Sequence, residues 1–158
     1  MTFLNPRNRV SDGAAPTFRI LNTGWNADPN APDPQITIQD GAVRLEVRQN
    51  RVAFDAAEKV GRFRLVFEDA KRFRLTPVND HGWYDGQCRF SDLAPAWGEF
   101  YEILGDTMDD LEPTPWRETG RSGGERHFHF YLRDDTFECK ARGWHLEQVA
   151  TATDEGED

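Results

Sequence analysis

The sequence predicts an all-β fold: a single-domain antiparallel sandwich or partly open barrel, built from hairpins with at most short helical turns. Apolar and polar residues alternate with the strand period of two in three paired segments. Short turn sequences separate the paired segments, and no long amphipathic helical pattern lies between them. The chain has 158 residues, of which 37% are hydrophobic and 12% aromatic, which is enough for the core of one domain.

The chain divides into three parts. Residues 1–16 read as an irregular N-terminal arm, 17–150 as a single β-rich domain, and 151–158 as a disordered acidic tail. Within the domain, the range 17–22 predicts a first strand. Residues 97–104 fit either a helical face or a strand, and the all-β surroundings favour the strand.

The range 36–47 carries a strong hairpin signal, because Asp40-Gly41 lies between two alternating segments. Both central residues of a type I′ turn need positive φ, which Asp and Gly tolerate. A two-residue turn places Ile38 opposite Val43 and Ile36 opposite Leu45.

A third alternating pair surrounds residues 69–71. A three-residue loop there predicts a hairpin in which Phe67 faces Phe73 and Leu65 faces Leu75. The opposite face of this predicted hairpin is rich in arginine. Its cations are Arg62, Arg64, Arg72 and Arg74.

The most regular hairpin signal spans residues 127–144, with an Asp-Asp turn in the middle. Placing Leu132 opposite Phe137 also sets Phe130 opposite Cys139, and every apolar side chain then lies on one face. A slip of one residue would put half of the apolar set in water.

The apolar positions of the three hairpins form the predicted core. We expect the following residues to be mostly buried: Ile36, Ile38, Val43, Leu45, Phe63, Leu65, Phe67, Phe73, Leu75, Phe128, Phe130, Leu132, Phe137 and Cys139.

Composition limits the function classes. The net charge of −9 favours solubility and argues against a nucleic-acid binder. No apolar run approaches the roughly 20 residues of a membrane helix, so no membrane partner is expected. The N-terminus lacks a signal-peptide pattern, and Cys88 and Cys139 read as free thiols, so we expect a cytoplasmic protein. Oligomeric state is not indicated.

The sequence contains no recognised catalytic motif and no phosphate-binding glycine loop. His127 and His129 are two apart on a predicted strand, which is a metal-like spacing. The predicted register sets Lys140 and Arg142 opposite them, and fixed positive charges disfavour a cation. We therefore expect two surface or interface histidines, no metal and no cofactor.

Charge is segregated along the chain. Between Phe90 and Trp116 there is no Lys or Arg. The acids there are Asp92, Glu99, Glu102, Asp106, Asp109, Asp110 and Glu112. One interpretation is that this acidic stretch lies partly against the arginine-rich strand faces of the same molecule, with a remnant exposed at Asp109-Asp110. The other is that the acids and the arginines form two separate binding surfaces.

These features favour a non-catalytic binding or protein-interaction module, one form of which is an acidic inhibitor or immunity-type protein that caps a basic partner. The alternative is a small-molecule-binding β-barrel, with or without enzymatic activity. Aromatic residues in loops would line such a pocket or anchor the loops to the core. These are Trp25, Trp83, Tyr84, Trp97 and Trp116. The candidate binding residues are Arg62, Arg64, Arg72, Arg74, Asp109, Asp110, Trp83 and Tyr84.

Overall fold

Two antiparallel sheets make up the part of the chain that the computed structural model describes, residues 15–50, 60–77, 84–86, 89–91, 93–106, 109, 112–121 and 124–150. The strands are β1 Thr17–Ile20, β2 Gln35–Gln39, β3 Ala42–Arg48, β4 Val60–Glu68, β5 Arg72–Thr76, β6 Phe100–Leu104, β7 Arg117–Glu118, β8 Arg126–Tyr131, β9 Thr136–Ala141 and β10 Gly143–Ala150. The predicted strand in 97–104 is therefore confirmed for β6.

One sheet has six strands in the order β1-β6-β8-β9-β5-β7, and the other has four in the order β10-β4-β3-β2. The two sheets do not close into a barrel. The predicted all-β fold is confirmed, and its two separate sheets are those of a sandwich.

The main core lies between the facing surfaces of the two sheets and is largely aromatic. Phe67 of β4 packs against Phe128 and Phe137 of the other sheet, with ring centroids 5.4 and 5.3 Å apart. Trp25, from the loop after β1, is buried against Phe63, so this tryptophan anchors its loop to the core. Aromatic pairs in such tilted and edge-on arrangements add to the energy of area burial.

The Asp40-Gly41 hairpin has the predicted register, with Ile38 opposite Val43 and Ile36 opposite Leu45. Asp40 and Gly41 have φ values of 54° and 79°, as a type I′ turn requires. The predicted burial of Ile38 is wrong, because its side chain is 51% exposed. It sits beside the turn on the edge strand β2, which has a strand neighbour on one side only. Ile36 is half-buried for the same reason.

The hairpin of β8 and β9 forms, but its register differs from the prediction by two residues. Phe130 pairs with Phe137 and Phe128 with Cys139, and the turn includes Leu132, whose amide donates to the Asp135 carbonyl at 2.8 Å. A shift of two keeps each side chain on its predicted face, so the core residues stay buried. It does change the polar pairs across the strands.

The third predicted hairpin is wrong. Strand β4 pairs with β3 and β10, whereas β5 pairs with β9 and β7, so the chain crosses between sheets at residues 69–71. The amides of Ala70 and Lys71 fix the crossing by donating to the carbonyls of Gly41 and Lys140 at 3.1 and 2.7 Å. Phe67 and Phe73 point inward both in a hairpin and in a crossing between sheets. Alternation alone therefore did not distinguish these two arrangements. Leu75 is only half-buried.

The remaining predictions concern the cysteines, the two ends of the chain and membrane helices. Cys139 is a buried free thiol as expected, and Cys88 lies outside the described residues. Most of the predicted arm, residues 1–14, and the predicted tail, 151–158, also lie outside them. Within the described ranges, no helix is long and apolar enough to cross a membrane.

Candidate functional site

The predicted arginine-rich face is divided between opposite sides of the sandwich. Arg62 and Arg64 lie on the outer face of the four-stranded sheet, whereas Arg72 and Arg74 lie on the outer face of the six-stranded sheet, because the chain crosses between them. The two pairs therefore cannot form one binding surface.

On the four-stranded sheet, the arginines are neutralised by neighbouring acids. Arg64 donates to Glu46 at 2.9 Å and to Glu147 at 3.0 Å, and Arg62 pairs with Asp33 at 3.1 Å. These are partly exposed cross-strand pairs of modest energy. They leave no excess positive charge on this group of side chains.

The other predicted site residues also separate. Tyr84 is 71% exposed, while Trp83 and Asp110 lie outside the described residues. Arg72 is half-buried, 3.7 Å from Glu118, with its guanidinium 5.0 Å from the ring centre of Trp116. Among the predicted residues that the structure describes, Arg74 and Asp109 are brought together, at a largely buried cluster that we call the charged cluster.

The charged cluster lies on the outer face of the six-stranded sheet. Strand register places Tyr101, His129, Glu138 and Arg74 side by side on β6, β8, β9 and β5. Arg89, Phe90 and Asp109 are further members of this layer and come from the connections between β5 and β6 and between β6 and β7.

Glu138 is the centre of the cluster and is almost fully buried. Its carboxylate accepts from Arg74 Nε at 2.7 Å, lies 2.7 Å from His127 Nε2, and also accepts from Arg89. Burial alone would raise the pKa of Glu138, but the hydrogen bond with His127 and the charge of Arg89 outweigh it and hold the pKa well below its ordinary value. The carboxylate is charged and fully engaged, so it is not free to act as a base.

The predicted exposure of His127 and His129 is wrong, since both are buried. His129 lies opposite Glu138 and not opposite Lys140, because the register moved by two. Burial lowers the pKa of His129 to about 3, so its ring is neutral. Among the described residues, no group of three or more His, Cys, Asp and Glu side chains is placed to hold a metal ion.

Asp109 and Trp116 are attached to the outer face of the six-stranded sheet. Its Oδ1 accepts from Arg74 Nη2 at 2.7 Å and from Trp116 Nε1 at 3.0 Å, and the guanidinium of Arg74 lies 3.9 Å from the centre of the Trp116 ring. The predicted contact between the acidic stretch and basic strand faces is confirmed here. Asp109 is paired, yet its side chain remains 41% exposed, so the predicted remnant at Asp109 is exposed but not free, and Asp110 lies outside the described residues.

Two further acids of the stretch are also paired with arginines within the molecule. Glu102 accepts from Arg126 Nε and Nη2, both at 2.9 Å, and pairs with Arg19. Glu112 lies 3.6 Å from Arg89. The segregation of charge along the sequence is therefore largely compensated in space.

A groove of about 130 Å³ opens at the end of the sandwich that carries the β8–β9 turn. Its lining combines two aromatic rings with polar side chains and backbone. The lining residues are Asn26, Ala27, Asp28, Pro29, Asn50, Trp97, Gly98, Tyr131, Leu132 and Arg133. The rings of Trp97 and Tyr131 lie 4.7 Å apart at their centroids, tilted by 38°.

Hydrogen bonds within the protein hold the walls of the groove. Asn26 Nδ2 donates to the Gly98 carbonyl at 2.7 Å, which ties the first loop to the turn before β6. Asp28 Oδ1 accepts from the amides of Asn30 and Ala31 at 2.8 and 3.0 Å. The groove is therefore formed before any partner binds.

We use the name acidic rim for Asp28, Glu99, Asp134 and Asp135. Asp28 lines the groove, and the other three follow lining residues in the sequence, Glu99 after Gly98 and the two aspartates after Arg133. Among the described residues, none of the four has a lysine, arginine or histidine partner. Burial and the charge of Asp134 raise the pKa of Asp135.

Sequence reasoning missed both sites for the same reason. It read Asp134-Asp135 only as a turn, and the loop containing Asn26 and Asp28 only as a connection. The sequence does show which residues form turns, and turns lie at the ends of an antiparallel sandwich. Which turns lie at the same end depends on the topology, which the sequence pattern does not show.

Comparison of the chain with protein-family models, with curated proteins and with solved structures found no match. Function is therefore inferred from the chemistry of the groove and of the charged cluster.

Proposed function

We propose that this chain is a non-catalytic protein-interaction module that binds a basic partner through the acid-rimmed groove. The observation that carries the proposal is a contrast in pairing. Acids elsewhere, such as Glu46, Glu102 and Glu138, are matched to arginines. The acidic rim has no such partner among the described residues, and its members line the groove or directly follow its lining residues in the sequence.

The charges of the acidic rim favour binding of a positively charged group. Asp134 and Asp135 are adjacent like charges, and the raised pKa of Asp135 means that its charged form is disfavoured in the free protein. A cation nearby would favour the charged form. Binding of a basic group should therefore lower the pKa of Asp135, and complementary charge also speeds encounter.

In this proposal, the charged cluster stabilises the fold and has no catalytic role. Its central carboxylate is saturated by Arg74 and Arg89, and the described residues around it include no nucleophile placed beside a base. A buried carboxylate that is already bonded to two arginines and a histidine supports conformational specificity better than it supports proton transfer.

The finer version of the proposal is an acidic inhibitor or immunity-type protein whose groove takes a basic side chain from the surface that it caps. A cytoplasmic location belongs to this version. The buried free thiol of Cys139 supports it, because unpaired thiols persist in reducing compartments.

The test uses a short peptide of alternating glycine, lysine and arginine, titrated into the protein by calorimetry at low salt. The variant Glu99→Gln, Asp134→Asn removes two rim charges. The control Asp40→Asn, Glu118→Gln removes two exposed charges at the opposite end of the sandwich. We expect the rim variant to bind about five- to tenfold more weakly and the control to bind as the wild type does.

Two results would contradict the proposal. Equal weakening in both variants would mean that the peptide responds to net charge and not to the groove. No binding by the wild-type protein at low salt would remove the basis for a basic partner altogether.

A further inference from the structure

We infer that the edge strand β2 is a self-association surface, on which a second copy of this chain adds its own β2 in antiparallel orientation. Three observations carry the inference: an unpaired backbone edge, the lack of features that protect such an edge, and a residue order that is the same in both directions. The surface is separate from the groove, so this inference and the proposed function can fail independently.

The backbone of β2 is hydrogen-bonded on one side only, since β3 is its single neighbour in the sheet. The two-residue turn closes on the pair of Gln39 and Ala42, so alternate residues of β2, beginning with Gln39, bond to β3. The amides and carbonyls of Ile36 and Ile38 therefore point away from the sheet. Within the described ranges these groups have no backbone partner. Such a row of free donors and acceptors is a template for another strand.

The three other outermost strands have features that discourage pairing, and β2 does not. Strand β1 carries Arg19, and β7 has two residues, both of them charged. Strand β10 carries His145 and Glu147 and has a register shift near its end. Charge, short length and bulges each protect an edge. The five residues of β2 include no charge and no proline, and their register is regular.

The residue order of β2 fits a twofold axis at Thr37. Antiparallel pairing about this axis sets Ile36 opposite Ile38 of the second copy and Thr37 opposite Thr37. Because Ile36 and Ile38 both direct their backbone groups outward, each such pair exchanges both of its hydrogen bonds. Thr37 then lies at a non-hydrogen-bonded position, where side chains approach most closely and threonine pairs are favourable. An isologous contact requires this kind of self-complementary surface.

Burial of side chains acts in the same direction. Ile38 is 51% exposed and Ile36 is half-buried, and both lie on the face of β2 that is directed toward the core. Facing each other across the axis, they would remove apolar area from water. The contact is small, so we expect a weak dimer with a dissociation constant of about 10–100 µM.

The experiment measures the dimer by sedimentation equilibrium up to about 1 mM protein, in about 150 mM salt to screen the net charge of −9. Thr37→Lys places two like charges opposite each other at the axis. The control Thr17→Lys makes the same change at an exposed position of the edge strand β1. Both variants make the net charge less negative, so total charge alone would strengthen association in both. We expect Thr37→Lys to weaken the dimer by about tenfold or more, and Thr17→Lys to change it by less than about twofold.

A mixture of variants tests the register. Thr37→Glu alone should also dimerise poorly, whereas Thr37→Lys mixed with Thr37→Glu should form a heterodimer about as tight as the wild-type dimer, because opposite charges then face each other. In the wild type, exchange of the Ile36 and Ile38 amides should slow as the protein concentration rises. The Thr37 amide bonds to β3 and should be protected at every concentration.

Three results would overturn the inference. A wild-type protein that is monomeric at about 1 mM would exclude a second copy as the occupant and leave the edge to a strand of another protein. A dimer that Thr37→Lys does not weaken, or that both lysine variants weaken equally, would use a different surface. If Thr37→Lys fails to fold by circular dichroism, amide exchange in the wild type decides, since rates at Ile36 and Ile38 that do not depend on concentration contradict pairing of β2.

Discussion

At the scale of single residues, His129 has the most unusual environment in the described structure. Its ring packs against Tyr131 and Phe90, with centroids 4.6 and 5.2 Å away, and neither ring nitrogen has a hydrogen-bond partner. Glu138 and His127 are its nearest titratable neighbours on the sheet, with Arg74 and Arg89 close by. A neutral imidazole survives there because protonation would bury an additional charge beside two arginines.

This environment predicts a loss of stability in mild acid. The pKa of His129 is about 3 in the folded protein against an ordinary value of 6.5, so below pH 6.5 the unfolded chain binds a proton that the folded chain does not. Linkage then gives a loss of about 2 kcal/mol between pH 7 and pH 5. Urea unfolding at the two pH values measures it. In His129→Phe, which keeps an aromatic ring and cannot titrate, this loss should be largely absent.

His145 provides the control, because its pKa is shifted the other way. Hydrogen bonds with Glu147 and Glu68 raise the pKa of this exposed histidine. Its stabilising contribution is complete below about pH 6.5 and is lost as the pH rises through the raised pKa of the folded state. His145→Gln removes this contribution, so the loss between pH 7 and pH 5 should be no smaller than in the wild type. Parallel curves for the wild type and His129→Phe would show that His129 is not responsible.

A second residue-scale prediction concerns the core. Phe130 is fully buried between Trp25 and Phe100, so Phe130→Ala should reduce the free energy of unfolding by about 3–5 kcal/mol. Ile38→Ala is the control, since half of that side chain is already in solvent, and its cost should be below about 1 kcal/mol. Chemical denaturation measures both. Similar costs for the two substitutions would contradict the face assignment.

At the scale of elements, Glu138 holds an irregular segment against a sheet. Arg74 extends from β5 to the Thr114 carbonyl at 3.1 Å and to Asp109, while Arg89 approaches the same carboxylate from residues 89–94. The segments that cover the outer face are thus fixed to β5 and β9 by charge-assisted bonds, in addition to the apolar contacts of Phe90 and Ala94. Removing the shared carboxylate should loosen them together.

Glu138→Gln tests this attachment. The substitution leaves Arg74 and Arg89 buried without their shared anion, so we expect a loss of about 3–5 kcal/mol in the free energy of unfolding. Amide hydrogen exchange should also become faster in residues 112–116. The control Glu118→Gln removes an exposed partner of Arg72 and should cost less than about 0.5 kcal/mol. A change below about 1 kcal/mol in Glu138→Gln would show that the cluster does not anchor these segments.

For the strands, prediction from the sequence was correct about side-chain faces and less successful about strand pairing. Alternation assigned Phe67, Phe73 and Phe130 to the inner face correctly, because a side-chain period of two is local to each strand. The pairing of β4 and β5 was wrong, because the same alternation fits a hairpin and a crossing between sheets equally well. Only the Asp40-Gly41 turn specified its neighbour, since its backbone conformation admits little else.

The candidate sites were less accessible to such reasoning. The charged cluster depends on a register shift of two residues, which moves Glu138 beside His129 without changing any face. The groove depends on three separate turns meeting at one end of the sandwich. Neither relation has a local sequence signature. The sequence therefore identified the charged residues but did not indicate which of them lie together.

At the scale of the whole molecule, the negative net charge is not evenly distributed over the surface. The groove end carries the acidic rim, whereas the opposite end, where the chain crosses between sheets, is rich in cations. There Arg121 and Arg142 share the single carboxylate of Asp69, at 3.5 and 3.8 Å. The total of −9 therefore understates how strongly one end should attract a basic partner and how weakly the other should.

This polarity predicts how binding of the mixed lysine–arginine peptide responds to salt. Screening acts beyond roughly 8 Å at physiological ionic strength, so raising salt from 20 to 150 mM should slow association by about tenfold and change dissociation much less. Stopped-flow fluorescence measures both rates. Asp134→Asn should reduce the association rate at low salt, whereas Asp40→Asn, a turn aspartate at the opposite end, should leave it unchanged, although both substitutions alter net charge equally. If the two variants slow association by the same factor, attraction comes from total charge, and the groove end has no special part in steering.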